Sequence, residues 1–181
     1  MCTPGYDIKD YLTQRFLEWA YQQREFYLPN SRPLSGEERL RLAGYFDQSI
    51  LDLTRVVGVA RILNPEFYDG LTKFIIPIPL DFTQAMGFTL VDCVLIRNEL
   101  HSSPSSWMAT LFHEMVHVVQ FDILGLTRMV ELYTDYLLQS EYQYPDIPFE
   151  QQAYTLAERF AGGEPPFSVR ETIEPELRRM I

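Results

Sequence analysis

From Trp107 to Phe121 the chain reads Trp-Met-Ala-Thr-Leu-Phe-His-Glu-Met-Val-His-Val-Val-Gln-Phe. Wound as a helix, this stretch is apolar nearly all round, and such a helix has to be buried on every side. It therefore belongs at the centre of a fold, with the rest of the chain built over it. Inside it sit three ionisable groups, His113, Glu114 and His117. Burying two imidazoles and a carboxylate costs several kcal/mol unless they are paired or hold a metal. Histidines at i and i+4 stand about 40° apart around a helix axis and one turn apart along it. Both rings can then reach one tetrahedral zinc at about 2.0–2.1 Å. The glutamate at i+1 points beside the metal, where it can take a proton from an attacking water. This H-E-x-x-H pattern uses two of the chain's three histidines. About 0.004 matches are expected by chance at this composition. The competing reading is a satisfied pair of core histidines beside an ion-paired glutamate.

The cover for this helix is legible in outline. Residues 7–27 predict an amphipathic helix with Ile8, Tyr11, Leu12, Phe16 and Trp19 on one side, Asp7 as N-cap and Pro29 beyond its end. Ser35-Gly36-Glu37-Glu38 has the capping-box form and opens a short helix that Leu40, Leu42 and Phe46 suit. Residues 54–60 are β-branched enough for a strand. Asn64-Pro65 and Asp69-Gly70 mark turns. The apolar run 74–80 contains Pro77 and Pro79, which restrict it to an edge segment or extended loop. Thr89–Arg97 is the clearest strand, and Cys93 within it reads as a small core residue. The central helix opens at residues 102–106 and runs to about Asp122, with Gly125 as its stop. A further helix runs from Thr127 to about Tyr142, residues 144–148 break it, and residues 149–161 form another. The charged tail from Phe167 is expected at the periphery. The expectation is one α+β domain, mostly helical with a small antiparallel or mixed sheet beside the motif helix. Residues 1–50 supply N-terminal helices, 54–161 the core and 162–181 the tail.

Composition narrows the function classes. The 181 residues carry 15 basic and 25 acidic side chains, a net charge of −10. A phosphate-backbone binder needs a surplus of Lys and Arg, so no nucleic-acid partner is expected, and an anionic membrane surface is disfavoured by the same sign. No apolar stretch reaches the roughly 18 residues of a membrane span. Two cysteines, Cys2 and Cys93, make no disulfide framework. The default location is the cytoplasm, with a lipoprotein acylated at Cys2, or a secreted form, after loss of a signal peptide as the alternative. Oligomeric state, substrate and pathway leave no signature in the residues.

The motif segment resembles the active-site helix of the zincin metallopeptidases. More closely, it is similar to a group of small bacterial metallopeptidase-like domains. There an H-E-x-V-H-V-x-Q run precedes a Gly-containing turn, a Tyr-rich helix and a Pro-x-Glu-x-x-Ala-Tyr segment. The matching residues here are His113–Gln120, Gly125, Tyr133-Thr134-Asp135-Tyr136 and Pro148–Tyr154, so the resemblance covers about residues 90–160. Metzincins differ, because Gln120 and Ile123 stand where their Gly and third His would be. A peptide deformylase would draw a ligand from an upstream cysteine, but the other segments it needs are missing around Cys93.

The resemblance implies a zincin-like fold and one zinc per chain, bound by His113, His117 and a third ligand. The acids after the motif are Asp122, Glu131, Asp135, Glu141, Asp146, Glu150 and Glu158; Asp122 is too close on the same helix, and Glu150, Asp135 and Glu131 lead. If the chain turns back at Gly125, the level partner of His117 at about 1.5 Å per residue lies near Tyr133 or Thr134. Asp135 matches that level, as zinc ligand or as a partner orienting His113, and Glu131 falls short. Glu150 has no help from this arithmetic; its match to the Pro-x-Glu-x-x-Ala-Tyr pattern makes it the choice. Gln120 could hydrogen-bond a ligand. Tyr133, Tyr136, Tyr154 or His101 could donate to an oxyanion. The implied activity is a zinc-dependent hydrolase, foremost a peptidase acting on a peptide or protein, with Glu114 as general base and then acid. In zincins the strand before the motif helix can bind an extended substrate, a role falling here to Thr89–Arg97. The rival is a non-catalytic zinc-binding or inactive scaffold protein that binds a partner.

Overall fold

A computed structural model describes residues 8–72, 81–139 and 147–180. The predicted Asp7 cap, the proline-containing run 74–80 and the break at 144–146 lie outside them. The order is α1 (Ile8–Tyr27), β1 (Arg32–Pro33), α2 (Gly36–Leu42), α3 (Gln48–Leu53), β2 (Arg55–Val59), α4 (Tyr68–Thr72), β3 (Gly87–Leu90), β4 (Cys93–Arg97), α5 (Pro104–Gln139), α6 (Pro148–Ala161) and α7 (Val169–Leu177). The class is α+β, mostly helical with a small mixed sheet, as expected. The first half of α5 is the buried centre: every residue from Leu111 to Gln120 is shielded from solvent. β3 and β4 pack against it, and α1, α6 and α7 close round its other faces.

The sheet order is β1-β2-β4-β3. β2 and β4 run parallel, with Val57 opposite Leu95, while β1–β2 and β3–β4 are antiparallel. The strand expected over Thr89–Arg97 is in fact a hairpin turning at Val91 and Asp92, with Leu90 paired to Cys93. The turn escapes a pattern search because it contains neither Gly nor Asn. Val91 adopts φ 64°, a region costly for a β-branched residue. Contacts around Asp92 hold it there. The Arg24 guanidinium donates from Nε and Nη2 to the two Asp92 oxygens at 2.7 and 2.9 Å, and Arg55 N–H donates to Asp92 O at 2.8 Å. The hairpin puts β4 inside the sheet and leaves β3, Gly87–Leu90, at the sheet's edge among the described residues.

α5 is interrupted where the stop was expected, at Gly125, with φ 75° and ψ 161°. Both halves line one cavity, His113 and Phe121 from the first, Met129 and Tyr133 from the second. The capping box at Ser35 forms in full: Ser35 Oγ accepts from Glu38 N–H and Glu38 Oε2 accepts from Ser35 N–H. Glu38 is buried, receives Arg32 on both oxygens and accepts from the Trp107 indole at 2.9 Å, tying α2 to the start of α5. The charged tail is not peripheral. Its α7 buries Val169, Ile173 and Leu177, and Val169 N–H donates to Tyr45 O at 2.9 Å.

Candidate metal centre

The helical spacing of His113 and His117 does what the motif requires. Their Nε2 atoms lie 3.2 Å apart on the cavity face of α5. The third corner comes from α6. Pro148 starts that helix, Ile147 and Phe149 are fully buried anchors, and Glu150 stands in its first turn, 3% exposed. A carboxylate at a helix N-terminus is also favoured by the macrodipole. Glu150 Oε2 lies 3.3 Å from His113 Nε2 and 3.4 Å from His117 Nε2. Tetrahedral bonds of about 2.0–2.1 Å place neighbouring ligand atoms about 3.3–3.4 Å apart, so this triangle has the dimensions of one face of such a site. Oε2 is also a buried oxygen with no hydrogen bond, the kind of orphan a cation satisfies. Among the described residues, His113, His117 and Glu150 form a group able to hold a metal ion.

Supporting contacts aim the three atoms at one point. Tyr133 donates to Glu150 Oε1 at 3.1 Å, which leaves Oε2 for the imidazoles. Fully buried Gln120 donates from Nε2 to Phe149 O at 3.1 Å and to Gln152 Oε1 at 3.0 Å. Its carbonyl oxygen therefore faces His117 Nδ1 at 2.7 Å and accepts the proton there. Burial alone would lower the His117 pKa, but the Glu150 carboxylate outweighs it and pushes the value up to about 9. Glu150 moves the other way: burial would raise it, and the two imidazoles hold it well below the carboxylate range.

Glu114 lies against the sheet edge. The Thr89 hydroxyl is 2.8 Å from Glu114 Oε2 and 2.9 Å from Glu114 O. A Cβ on Gly87 would come within 2.6 Å of Glu114 Oε1, so only glycine admits the carboxylate this close to β3. Burial raises the Glu114 pKa, and the two histidines and Thr89 offset only part of that. Tyr154, half exposed, sets its ring 4.5 Å from that of His113. All these groups open on a cavity of about 680 Å³ bounded by α1, β3, both halves of α5, and α6.

Other candidates stand elsewhere. Asp135 pairs with Lys9 Nζ at 2.7 Å and holds α1 rather than the centre. Glu131 pairs with Arg128 at 3.3 Å. His101 is exposed and stacks on Trp107 at 4.4 Å, away from the cavity lining. Tyr136 packs on Phe149. Cys93 is fully buried in β4 with its thiol pKa pushed up to about 11, chiefly by burial. The residues sequence reasoning passed over are Gly87, Thr89 and Gln152. Gly87 had a signal: a glycine inside an apolar strand marks a close approach. Tyr133, a candidate oxyanion donor by sequence, places its hydroxyl on Glu150. No family model matches the chain, and neither curated proteins nor solved structures give a match.

Proposed function

We propose that the protein is a zinc-dependent hydrolase, a peptidase of the H-E-x-x-H type, with His113, His117 and Glu150 as the zinc ligands. The observation carrying this reading is the triangle of 3.2, 3.3 and 3.4 Å edges between the two Nε2 atoms and Glu150 Oε2. Zinc is the metal that best suits two imidazoles and one carboxylate with a position left open. When bound it supplies Lewis acidity, polarising a carbonyl and lowering the pKa of a water. Glu114 takes the proton from the attacking water and returns it to the leaving amine. A carboxyl raised by burial is suited to both directions of that transfer near neutral pH. Tyr154, whose phenol is held protonated by burial and by Glu150 and Glu114, donates to the developing oxyanion. β3, at the sheet edge, offers backbone groups to an extended substrate.

The test is cleavage of a mixed peptide library by zinc-loaded protein, before and after chelation. Cleavage abolished by chelator and restored by zinc is expected. Zinc uptake without cleavage of any peptide would favour the scaffold reading.

A further inference from the structure

The chamber in front of the triad is far larger than a reacting amide needs. At about 680 Å³ it lies within the range of sites that enclose a sizeable ligand. Part of its lining is aromatic. Trp19 of α1 stacks on Phe82 at 5.5 Å with 12° between the rings, and Phe88 of β3 meets Phe82 at 4.8 Å and Trp19 at 5.5 Å. Trp19 and Phe88 are only partly buried, so apolar surface faces the chamber. Ala20, on the same turn of α1, leaves room beside them. Away from the metal-binding histidines the charged side chains on the lining are acidic, Asp81, Glu114 and Glu158, with no Lys or Arg among the described lining residues. A side-chain carboxylate placed against this wall, away from the metal, meets Asp81 and Glu158 and no guanidinium to pair with, whereas an apolar group gains from leaving water.

We infer that this chamber takes a large apolar side chain, aromatic or branched, of a peptide, in preference to an acidic one. Trp19, Phe82 and Phe88 set that preference. The inference rests on the hydrolase reading, and binding rather than turnover tests it. Zinc-loaded full-length protein is titrated with the hydroxamates of N-acetylphenylalanine, N-acetylalanine and N-acetylaspartate, each presenting the same metal-binding group. The phenylalanine probe is expected to bind at least about tenfold tighter than the alanine probe, as a pocket of this kind distinguishes side chains, and the aspartate probe more weakly than either. Trp19→Ala, which removes the wall, and Ala20→Phe, which fills the space, should each narrow the gap between the first two. Equal affinities, or the aspartate probe binding tightest, would overturn the inference while leaving the metal reading intact. If zinc-loaded protein bound no hydroxamate, the open coordination position itself would be refuted, and this inference with it.

Discussion

Gln120 sits fully buried between two elements, its amide on the Phe149 carbonyl and its own carbonyl on His117. Because that oxygen can only accept, His117 keeps a proton on Nδ1, and its neutral form turns the Nε2 lone pair towards His113 and Glu150. Partners of this kind govern ligand orientation. Gln120→Leu is therefore expected to weaken zinc binding about 10–100-fold, as measured by competition with a chelator. Unchanged affinity would show that packing alone orients the ring. Glu114 has a different dependence. Glu114→Gln keeps the shape and can still meet the Thr89 hydroxyl, yet loses the basic oxygen. It should retain zinc and fold while peptide cleavage falls at least about a hundredfold; equal turnover would exclude Glu114 as the base.

α5 can serve the site with both halves only because of its break at Gly125. No atom lies within 4 Å of a Cβ placed there, so the demand for glycine comes from φ 75° alone. Gly125→Ala is expected to lower the unfolding free energy, read from the urea midpoint, by about 1–3 kcal/mol, because φ 75° with ψ 161° is a region essentially confined to glycine. No shift would mean that the bend has another origin. The same break shows how far the sequence could be read. His113, Glu114 and His117 lie within five residues, so helical geometry alone joins them. The level arithmetic across Gly125 pointed to Tyr133 or Thr134, and Tyr133 does reach Glu150. Asp135 stood at a suitable level but about 200° further round the helix, facing Lys9 of α1. Level without azimuth is half a coordinate. Glu150, 33 residues beyond His117 by numbering, was within reach only through a resemblance, because nothing local links α6 to α5. The β3–β4 turn was hidden by Val91, whose conformation depends on tertiary contacts to Asp92. α7 was hidden by its charges, although Val169, Ile173 and Leu177 recur every four residues and Ser168 with Glu171 has the capping-box spacing.

Across the molecule, the sheet edge, α1, α5 and α6 are assembled round a buried ion pair, which makes stability and metal binding respond to pH. With the His117 pKa raised from its ordinary 6.5 to about 9, the His117–Glu150 pair stabilises the metal-free protein in full below pH 6.5. That contribution is lost as pH rises through about 9. A metal takes the place of the proton, so zinc affinity should rise by about tenfold for each pH unit towards that value. Titrations of chelated protein at several pH values check this, and a flat profile would contradict it. At the acid end Glu38 acts in the opposite sense. Burial would raise its pKa, but Arg32, Ser35 N–H and Trp107 together hold it at about 2, against an ordinary 4.5. The stability it lends is complete above pH 4.5 and fades as pH falls towards 2. The claim on which the account turns is that His113, His117 and Glu150 meet at one metal ion. X-ray absorption at the zinc edge of the loaded protein tests it most directly. The account predicts one zinc with two imidazoles and only oxygen besides, at about 2.0–2.2 Å. A sulfur shell at about 2.3 Å, a single imidazole, or no bound zinc would contradict it.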